Sequence, residues 1–370
     1  MSKFVHYNLD TIDSKKATIN IIVGERSNGK SYQVKHKKAV EKFWNSYKKD
    51  SNHVKRFILM RRLREEITPT LIEQYFQDVD VVKITNNEYN MITMYRKRLY
   101  LSHYNIETNK VTRGMLIGYV VALNTEQNYA GASYLDVEDI IFEEFMSRKN
   151  YLHDEPEKLM NFYCTVDRKR GTTRLWLLGN SITRVCPYLY AWGLDKILFK
   201  MNQGDIKIIE IPTPDVDDNG NIIYVKVAIE YCKESGRSSF AIGKHAEMLS
   251  KGSWQTDPQP HLVGSYKDYK LIFRIGFFYK GFKFLGEFLY KDNNNVWFIK
   301  PYKGEFNKNT IIFSDIIKES INYQRDIYNV TIDNPMVKKV LDLFVESNIF
   351  YSDDLCGTEF KEAIDFTIRR

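Results

Sequence analysis

The amino-acid sequence predicts an α/β protein with two domains, the first of which is built on a parallel sheet. Roughly the first 200 residues alternate strand-like and helix-like segments, as α/β sheet proteins do. From about Asp205 the pattern changes to hairpins, then to a basic segment rich in Gly and Ser, and then to a second group of strands. A chain of 370 residues is long enough for two hydrophobic cores.

The first predicted element is a strand at residues 17–23, "ATINIIV", whose apolar and β-branched residues are typical of a buried parallel strand. The loop "GERSNGKS" follows, and a helix with one apolar face begins after it. A loop of the form G-x-x-x-x-G-K-S between a strand and a helix is a P-loop. Its backbone N–H groups bind phosphate, its lysine reaches the β- and γ-phosphates, and its serine hydroxyl binds Mg²⁺. We therefore expect ATP and Mg²⁺ as cofactors. The predicted nucleotide-binding residues are Gly24, Glu25, Arg26, Ser27, Asn28, Gly29, Lys30 and Ser31.

Further elements follow in the order expected for an α/β sheet. The patterns predict strands at residues 56–62, 79–85, 137–145 and 173–180, and helices at 68–78 and 156–170. A hairpin-rich insertion is expected between the strands at 79–85 and 137–145. The lysines of the helix after the P-loop, Lys35, Lys37 and Lys38, are interpreted as a solvated face.

Two acids end the strand "DIIFEEF". A P-loop ATPase needs an acid on a neighbouring strand to hold Mg²⁺ through water, and a hydrolase needs a carboxylate that orients the attacking water. We assign the first role to Glu143 and the second to Glu144. The alternative is a solvated strand end. A small-molecule kinase does not need the second acid, so the pair favours hydrolysis and an ASCE-type, RecA-like P-loop NTPase domain.

Two later segments allow two interpretations each. Arg168, in "TVDRKRGTTR", is either a cation that stabilises a helix C-terminus or an arginine finger that reaches the γ-phosphate bound by a neighbouring subunit. Asn180, at the end of "RLWLLGN", is either a sensor of the γ-phosphate or the cap of the next helix.

Composition limits the class of protein. The formal charge is +7 and the isoelectric point is near 8.9, which suits an anionic partner. Four scattered cysteines predict reduced thiols rather than a disulfide framework or a zinc site. The N-terminus has no signal-peptide pattern, and no apolar run approaches the roughly 18 residues of a membrane helix. We therefore expect a soluble intracellular protein without a membrane partner.

The order of these motifs resembles the DNA-packaging ATPases of the phi-twenty-nine-like small tailed phages. The resemblance rests on "GERSNGKS", on Arg61 and Arg62 at the end of the second strand, and on "FEEF", "TVDRKR", "GNSITRVCPY" and "IEIP". It covers most of residues 17–215 and, more loosely, the rest.

The resemblance implies a ring motor, usually a homopentamer on the portal (connector) of an empty capsid, that drives double-stranded DNA inward. By position, Lys30 and Ser31 match the Walker A residues, and Glu144 matches the catalytic glutamate. Arg168 matches the arginine finger that acts on the neighbouring subunit. The family usually has Asp where this chain has Glu143, whose longer side chain still reaches the Mg²⁺ waters.

The first candidate for DNA binding is Arg64, which falls where the family has a basic residue near the DNA channel. Further candidates for DNA binding, on loops, are Arg96, Lys97 and Arg98. The implied location is the host cytoplasm, with transient binding at the capsid vertex. A terminal protein or a structural RNA are further candidate partners.

The sequence predicts an ATPase domain at residues 1–200, a hairpin-containing linker at 201–257, and an α+β domain at 258–370. Terminase-like motors often add an RNase H-like nuclease whose first strand carries a metal-binding Asp; the comparable strand "LIFRIG" has Arg274 at that position. A cation there would repel a divalent metal ion, so we expect a vestigial nuclease that serves in docking. The alternative is an unrelated α+β module.

Two other functions remain open at this point. The chain would be a nucleotide-gated binding protein if ATP only switched its affinity for DNA or capsid. It would be a P-loop ATPase of another phage assembly or secretion process if the resemblance extended only to the ATPase domain.

Overall fold

The structure, a computed structural model, describes residues 7–129, 131–147, 151–181, 183–217, 219–233, 254, 256–315, 323–324 and 335–364. The chain forms two compact units. The first contains residues 1–182 and 191–253, and the second contains residues 183–190 and 254–370.

The first unit is built on a nine-stranded sheet with the order β3-β4-β5-β2-β6-β7-β1-β9-β8. The six central strands, β5, β2, β6, β7, β1 and β9 in sheet order, run parallel. Antiparallel pairing adds β4 and then β3 at one edge and β8 at the other. The strands are β1 (Ile19–Gly24), β2 (Arg56–Arg61), β3 (Met91–Tyr95), β4 (Arg98–Asn105), β5 (Lys110–Ala122), β6 (Val137–Glu143), β7 (Arg174–Asn180), β8 (Ile206–Val216) and β9 (Ile222–Tyr231).

The helical segments up to residue 198 are short, apart from one. They are α1 (Asp10–Asp13), α2 (Lys30–Val34), α3 (Lys42–Lys49), α4 (Pro69–Phe76), α5 (Val81–Ile84), α6 (Glu155–Asp167), α7 (Pro187–Ala191) and α8 (Asp195–Leu198). A π-helical stretch, Lys35–Glu41, joins α2 to α3, so the helix predicted after the P-loop is continuous.

All six residues of β1 are buried because the strand lies between β7 and β9 and is covered on both faces. This position explains its uninterrupted apolar sequence, since a parallel strand buried on both faces has no polar side. The mixed α/β fold with a large sheet of mainly parallel strands is therefore confirmed.

The structure corrects two expectations for the first unit. Residues 79–85, predicted as a strand, contain the helix α5, where the side chain of Asp80 accepts a hydrogen bond from the backbone of Lys83 and caps the helix. The hairpin expected within the linker 201–257 is instead part of the sheet, because β9 pairs in parallel with β1. Most of the rest of that segment lies outside the described residues.

The second unit contains a six-stranded mixed sheet with the order β14-β13-β10-β11-β12-β15. The sequence predicts strands in this region, and the structure shows that β10 (Lys270–Tyr279), β11 (Phe282–Lys291) and β12 (Asn294–Pro301) form an antiparallel meander. The strands β13 (Ile311–Ser314) and β14 (Tyr323–Gln324) continue the sheet in parallel beside β10, and β15 (Asn348–Tyr351) lies parallel to β12.

Two helices, α9 (Pro335–Glu346) and α10 (Asp354–Ile364), complete the second unit. Their apolar faces share one core with the sheet. Phe360 of α10 packs against Phe277 and Phe284, and Phe344 of α9 packs against Trp297. Within the described part of the chain, no helix has the length and apolar character needed to cross a membrane.

Candidate active site

The P-loop lies between β1 and α2 at the carboxyl edge of the parallel strands, and its backbone explains its glycines. Gly29 has φ +96°, a left-handed conformation that side chains disfavour, and it immediately precedes the first residue of α2. A Cβ on Gly24 would lie 2.7 Å from the Cβ of Cys232. Both positions therefore need glycine, one for its conformation and one for close packing.

Lys30 is 5% exposed, and its ammonium group lies inside the loop. The Nζ donates hydrogen bonds to the backbone oxygen of Glu25 (2.7 Å) and to Oδ1 of Asn180 (2.8 Å). Burial lowers the pKa of Lys30, although the nearby carboxylates counteract part of this effect. The structure thus brings the predicted Walker lysine and the predicted sensor together, and Asn180 contacts the P-loop through its side chain.

Ser31 and Glu143 form a second contact across the same edge. The Ser31 hydroxyl donates to Oε2 of Glu143 at 3.2 Å, and the Tyr75 hydroxyl donates to Oε1 at 2.5 Å. Burial raises the pKa of Glu143, while these two hydrogen bonds act in the opposite direction. A hydroxyl and a carboxylate are the oxygen ligands that Mg²⁺ prefers, so this pair fits the predicted metal ion.

Glu144 differs from Glu143 in both exposure and backbone. It is exposed, has φ +56°, and follows the last residue of β6. The buried side chain of Arg62 holds this turn, donating to the backbone oxygens of Glu144 (3.1 Å) and Phe145 (2.7 Å). Arg62 in turn pairs with Glu155 at 3.0 Å. A non-glycine residue in the left-handed region is uncommon and needs such support.

These residues line one cavity of about 400 Å³ at the carboxyl ends of β1, β6 and β7. Its walls carry donors for phosphate oxygens and three carboxylates, those of Asp78, Glu143 and Glu144. It therefore suits an anionic ligand that binds with a metal ion. The lining residues include Arg26, Ser27, Asn28, Gly29, Lys30, Ser31, Glu143, Glu144 and Asn180. Gly24 and Glu25 belong to the same loop.

Comparison with known proteins decides the family. Residues 1–221 match the Podovirus DNA encapsidation protein (Gp16) family, which is more than half of the chain. The chain belongs to this family. The resemblance carried by the sequence motifs is thereby confirmed.

Two curated relatives of this chain support the assignment. The DNA packaging protein of Bacillus phage phi29 is 26% identical over 290 residues, which are 76% of this chain and 75% of the relative. The DNA packaging protein of Bacillus phage PZA is 25% identical over 290 residues, with the same coverage of both chains.

The fold is also similar to a chain of the bacteriophage Phi-29 viral genome packaging motor assembly. The TM-score is 0.53 at 20% sequence identity, and the match covers 96% of this protein and 98% of that chain.

Arg168 lies at the opposite edge of the sheet from the cavity. It caps the C-terminus of α6 with φ +48°, is exposed, and donates from Nη2 to the backbone oxygen of Ala132 at 2.9 Å. Ala132 precedes β6, whereas Glu144 follows it, and a seven-residue strand spans roughly 20 Å. The predicted finger is therefore separated from the cavity of its own chain by the length of the strand.

The predicted DNA-binding residues are mostly exposed but do not form one group. Arg64 is exposed in the 3₁₀ turn Arg64–Glu66 after β2. Arg96 and Lys97 form the turn between β3 and β4, both with positive φ, and Arg98 begins β4. Lys97 is only partly exposed and donates to the Tyr129 hydroxyl at 3.1 Å. β5 lies between β2 and β4, so these residues belong to two places on the sheet.

Sequence reasoning missed Tyr75, Arg62 as the support of Glu144, and the burial of Lys35. Lys35 is 5% exposed and pairs with Asp78 at 2.6 Å, so its interpretation as a solvated lysine is wrong. Tyr75 and Lys35 are linked by a hydrogen bond from Lys35 Nζ to the Tyr75 backbone oxygen. No local pattern marks these residues, because their partners are 40 or more positions away in the sequence.

Proposed function

We propose that this chain is a Mg²⁺-dependent ATPase subunit of a ring motor that moves double-stranded viral DNA into a preformed capsid. The ATPase part rests on one observation: Lys30, Ser31, Glu143, Glu144 and Asn180 line one cavity at the carboxyl edge of the sheet. The arrangement also supports the ASCE class of P-loop NTPase, because β7 lies between the P-loop strand β1 and the acidic strand β6.

The first task of the site is to bind a triphosphate. The α2 helix begins at Lys30, so its first N–H groups and its dipole favour a phosphate at the loop. The β- and γ-phosphate oxygens would accept from Lys30 Nζ, which now donates to Glu25 and Asn180. Asn180 would then be free to turn its amide towards the γ-phosphate, which makes it a sensor of the terminal phosphate.

Ser31 and Glu143 would hold Mg²⁺, the serine directly and the glutamate through water. Bound there, the ion supplies positive charge to the oxygens of the β- and γ-phosphates. Glu143 is kept in place by Tyr75. The family usually has Asp at this position, and Glu has a longer side chain. The hydrogen bond from Tyr75 limits the freedom of that longer side chain.

Glu144 would orient the attacking water. The turn held by Arg62 directs the backbone at Glu144 away from the strand, and its exposed carboxylate borders the cavity. A carboxylate in this position accepts a hydrogen bond from water and aligns its lone pair with the γ-phosphorus.

Arg168 would act on the nucleotide of a neighbouring subunit. It lies beyond the amino end of β6 and is exposed, so it cannot complete the site of its own chain but is available to another. A finger supplied in trans makes hydrolysis depend on ring formation. We propose a homopentameric ring.

The transport part of the proposal rests on the family. The matches to relatives named as DNA packaging proteins cover three quarters of the length of each relative. We propose double-stranded DNA and the capsid portal as partners, with a terminal protein or a structural RNA as further candidates, and a location in the host cytoplasm with transient binding at the capsid vertex. The exposed arginines Arg64, Arg96 and Arg98, together with Lys97, are the proposed contacts to DNA phosphates.

The test is Mg²⁺-dependent ATP hydrolysis with and without duplex DNA. We expect DNA to stimulate turnover, and we expect Glu144→Gln to bind ATP as well as the wild type while losing at least ~100-fold in kcat. Glu107→Gln, on an exposed turn, is the matched control and should be unaffected. Binding of ATP without turnover in the wild type would instead favour a nucleotide-gated binding protein.

We further propose that the second unit is an RNase H-like domain without nuclease activity. The strand order supports the fold, because three antiparallel strands, β10 to β12, are followed by β13 and β14 beside the first of them. Arg274 lies on β10, and its Nε donates at 2.9 Å to Glu287 on β11.

Glu287 is the carboxylate at the centre of this sheet, and it is fully buried. It also pairs with Lys300 at 3.0 Å and accepts from Tyr266 at 2.7 Å. Burial raises the pKa of Glu287, but the hydrogen bonds from Tyr266, Lys300 and Arg274 outweigh it, so the pKa lies below its ordinary value. Its oxygens are engaged by cations, where a nuclease would place two metal ions.

The nuclease proposal is tested by incubating purified protein with supercoiled plasmid and Mn²⁺. We expect no nicking. Nicking that persists through purification and disappears in Glu287→Gln or Asp268→Asn would overturn this part of the proposal.

A further inference from the structure

A second cavity, of about 250 Å³, lies beside the P-loop in the first unit. Its walls come from four places in the sequence: the segment around the start of α1, the P-loop, the chain at the start of β8, and the carboxyl end of β9. The lining residues used below are Tyr7, Asn8, Thr11, Asn28, Glu230 and Lys233.

This cavity and the phosphate cavity meet at Asn28, which lines both. They lie on opposite sides of β1 at the same sheet edge, because β7 and β6 are on one side of β1 and β9 is on the other. The carboxylates Glu143 and Glu144 occupy the first side. A nucleotide whose triphosphate lies on the P-loop therefore has room for the rest of the molecule on the second side. With about 400 and 250 Å³, the two cavities together fall in the range of roughly 300–1,000 Å³ of small-molecule sites.

The second cavity contains one buried polar group suited to reading a base. Glu230 is 9% exposed, and its Oε2 accepts a hydrogen bond of 2.7 Å from the Tyr7 hydroxyl. Among the described residues no hydrogen bond is made to the other carboxyl oxygen, Oε1, which is accessible at the cavity wall and can contact a ligand there.

We propose that this cavity binds the adenine base of ATP, and that Glu230, positioned by Tyr7, recognises the edge of the base that carries the 6-amino group. The inference rests on the ATPase function proposed above. A neutral carboxyl group has one donor and retains an acceptor, and adenine offers at this edge an amino donor and a ring-nitrogen acceptor. Guanine offers the reverse pattern, an oxygen acceptor and an N–H donor.

The environment of Glu230 makes its protonation easier than that of an exposed glutamate. Burial raises the pKa of Glu230, and the hydrogen bond from Tyr7 offsets only part of that effect. Thr11 and Asn8 are exposed side chains at the rim, so the base can enter from solvent. The β8–β9 hairpin, which the sequence analysis placed in a linker, thereby supplies the specificity residue of the nucleotide site.

The first experiment separates the base from the phosphates. Thr11→Trp places a large ring in the cavity, and Thr108→Trp, on an exposed turn, is the matched control. We expect Thr11→Trp to weaken binding of Mg²⁺–ATP at least ~10-fold while leaving Mg²⁺–tripolyphosphate unchanged, because the latter has no base. Unchanged affinity for ATP, or an equal loss for both ligands, would overturn the proposal.

The second experiment tests the residue. Glu230→Gln retains one acceptor and adds an N–H donor, so we expect it to keep the preference for ATP over GTP, whereas Glu230→Leu should lose at least ~10-fold of that preference. A preference kept in Glu230→Leu would contradict the assignment.

Because the leucine variant has to fold to be informative, the wild-type protein provides a third readout. Photolabelling with 8-azido-ATP should mark peptides that contain Tyr7 or the carboxyl end of β9, and labelling only elsewhere would overturn the proposal. If neither ATP nor tripolyphosphate binds and Lys30→Ala changes nothing, the ATPase function fails, and the base site fails with it.

Discussion

The Nζ of Lys30 donates a hydrogen bond of 2.8 Å to Oδ1 of Asn180, a residue 150 positions further along the chain. The two residues meet because Gly24, at the end of β1, pairs with Asn180 at the end of β7. The lysine that would bind the terminal phosphates is therefore held, in this structure, by the residue that would detect them. If a nucleotide binds as proposed, Lys30 would exchange this partner for phosphate oxygens, and phosphate binding would be coupled to the end of β7.

We expect Asn180→Ala to bind ATP within a few-fold of the wild type and to hydrolyse it at least ~10-fold more slowly, because the variant lacks the amide that would contact the γ-phosphate. Single-turnover hydrolysis and equilibrium binding of ATP measure the two effects separately. Asn45→Ala, exposed on α3, is the control. Wild-type turnover in Asn180→Ala would rule out the sensor role.

Arg168→Ala should fold and bind ATP but lose roughly 10³-fold or more in kcat, as is typical when an arginine finger is removed. Mixing Arg168→Ala with Glu144→Gln subunits should restore part of the activity. In a mixed ring, some interfaces combine an intact Glu144 with an intact Arg168. If rings that exchange subunits show no rescue at any ratio, the arginine does not act in trans.

Tyr75→Phe should raise the Mg²⁺ concentration needed for half-maximal ATPase activity roughly 10-fold. The variant lacks the hydrogen bond to Oε1 of Glu143, and a hydrogen bond to a charged group contributes roughly 1.5–3 kcal/mol. Titration of ATPase activity with Mg²⁺ at saturating ATP measures the effect. Tyr104→Phe, on the exposed β4 strand, should leave the titration unchanged, and a lower kcat without a shift in the Mg²⁺ dependence would contradict the positioning role.

Arg64→Ala should weaken binding to unrelated DNA duplexes about equally and reduce the salt slope of log K by about one unit, because a translocating motor binds phosphates and not bases. Binding isotherms at several salt concentrations measure the slope. The control variant is Lys37→Ala, because Lys37 pairs with Asp10 at 2.5 Å. We expect this variant to leave the salt slope unchanged. A strong preference for one sequence would contradict the motor function.

Glu359 predicts a pH dependence of stability in the second unit. Burial raises the pKa of Glu359 to about 7, and Arg184 only partly counteracts this. The folded state therefore holds a proton that the unfolded state releases near the ordinary carboxyl pKa, so stability falls as the pH rises from about 4.5 to 7. Glu359→Gln should raise the melting temperature at pH 8 more than at pH 5. The corresponding gain in the free energy of unfolding at pH 8 is up to roughly 3 kcal/mol. Calorimetry on the full chain measures it, and the exposed Glu346→Gln should show no such difference.

The sequence by itself determined the parts of this protein whose physical cause is local. The P-loop is recognisable because glycine is needed where the backbone turns, and because the strand before it and the helix after it are contiguous in the chain. The acids Glu143 and Glu144 are recognisable because they end an apolar strand. The strands β10, β11 and β12 are also recognisable from their own residues, although their pairing is not.

Only the tertiary structure decided which distant segments meet at the site. The pattern at residues 79–85 suits a strand, but the capping of α5 by Asp80 makes it a helix. The β8–β9 hairpin has a clear turn signal, yet nothing in it indicates that β9 pairs with β1 and brings Glu230 next to the P-loop. Tyr75 is likewise an ordinary helix residue until the fold places it against Glu143. Backbone conformation depends on neighbouring residues, whereas strand pairing and side-chain contacts depend on how the whole chain buries its apolar surface.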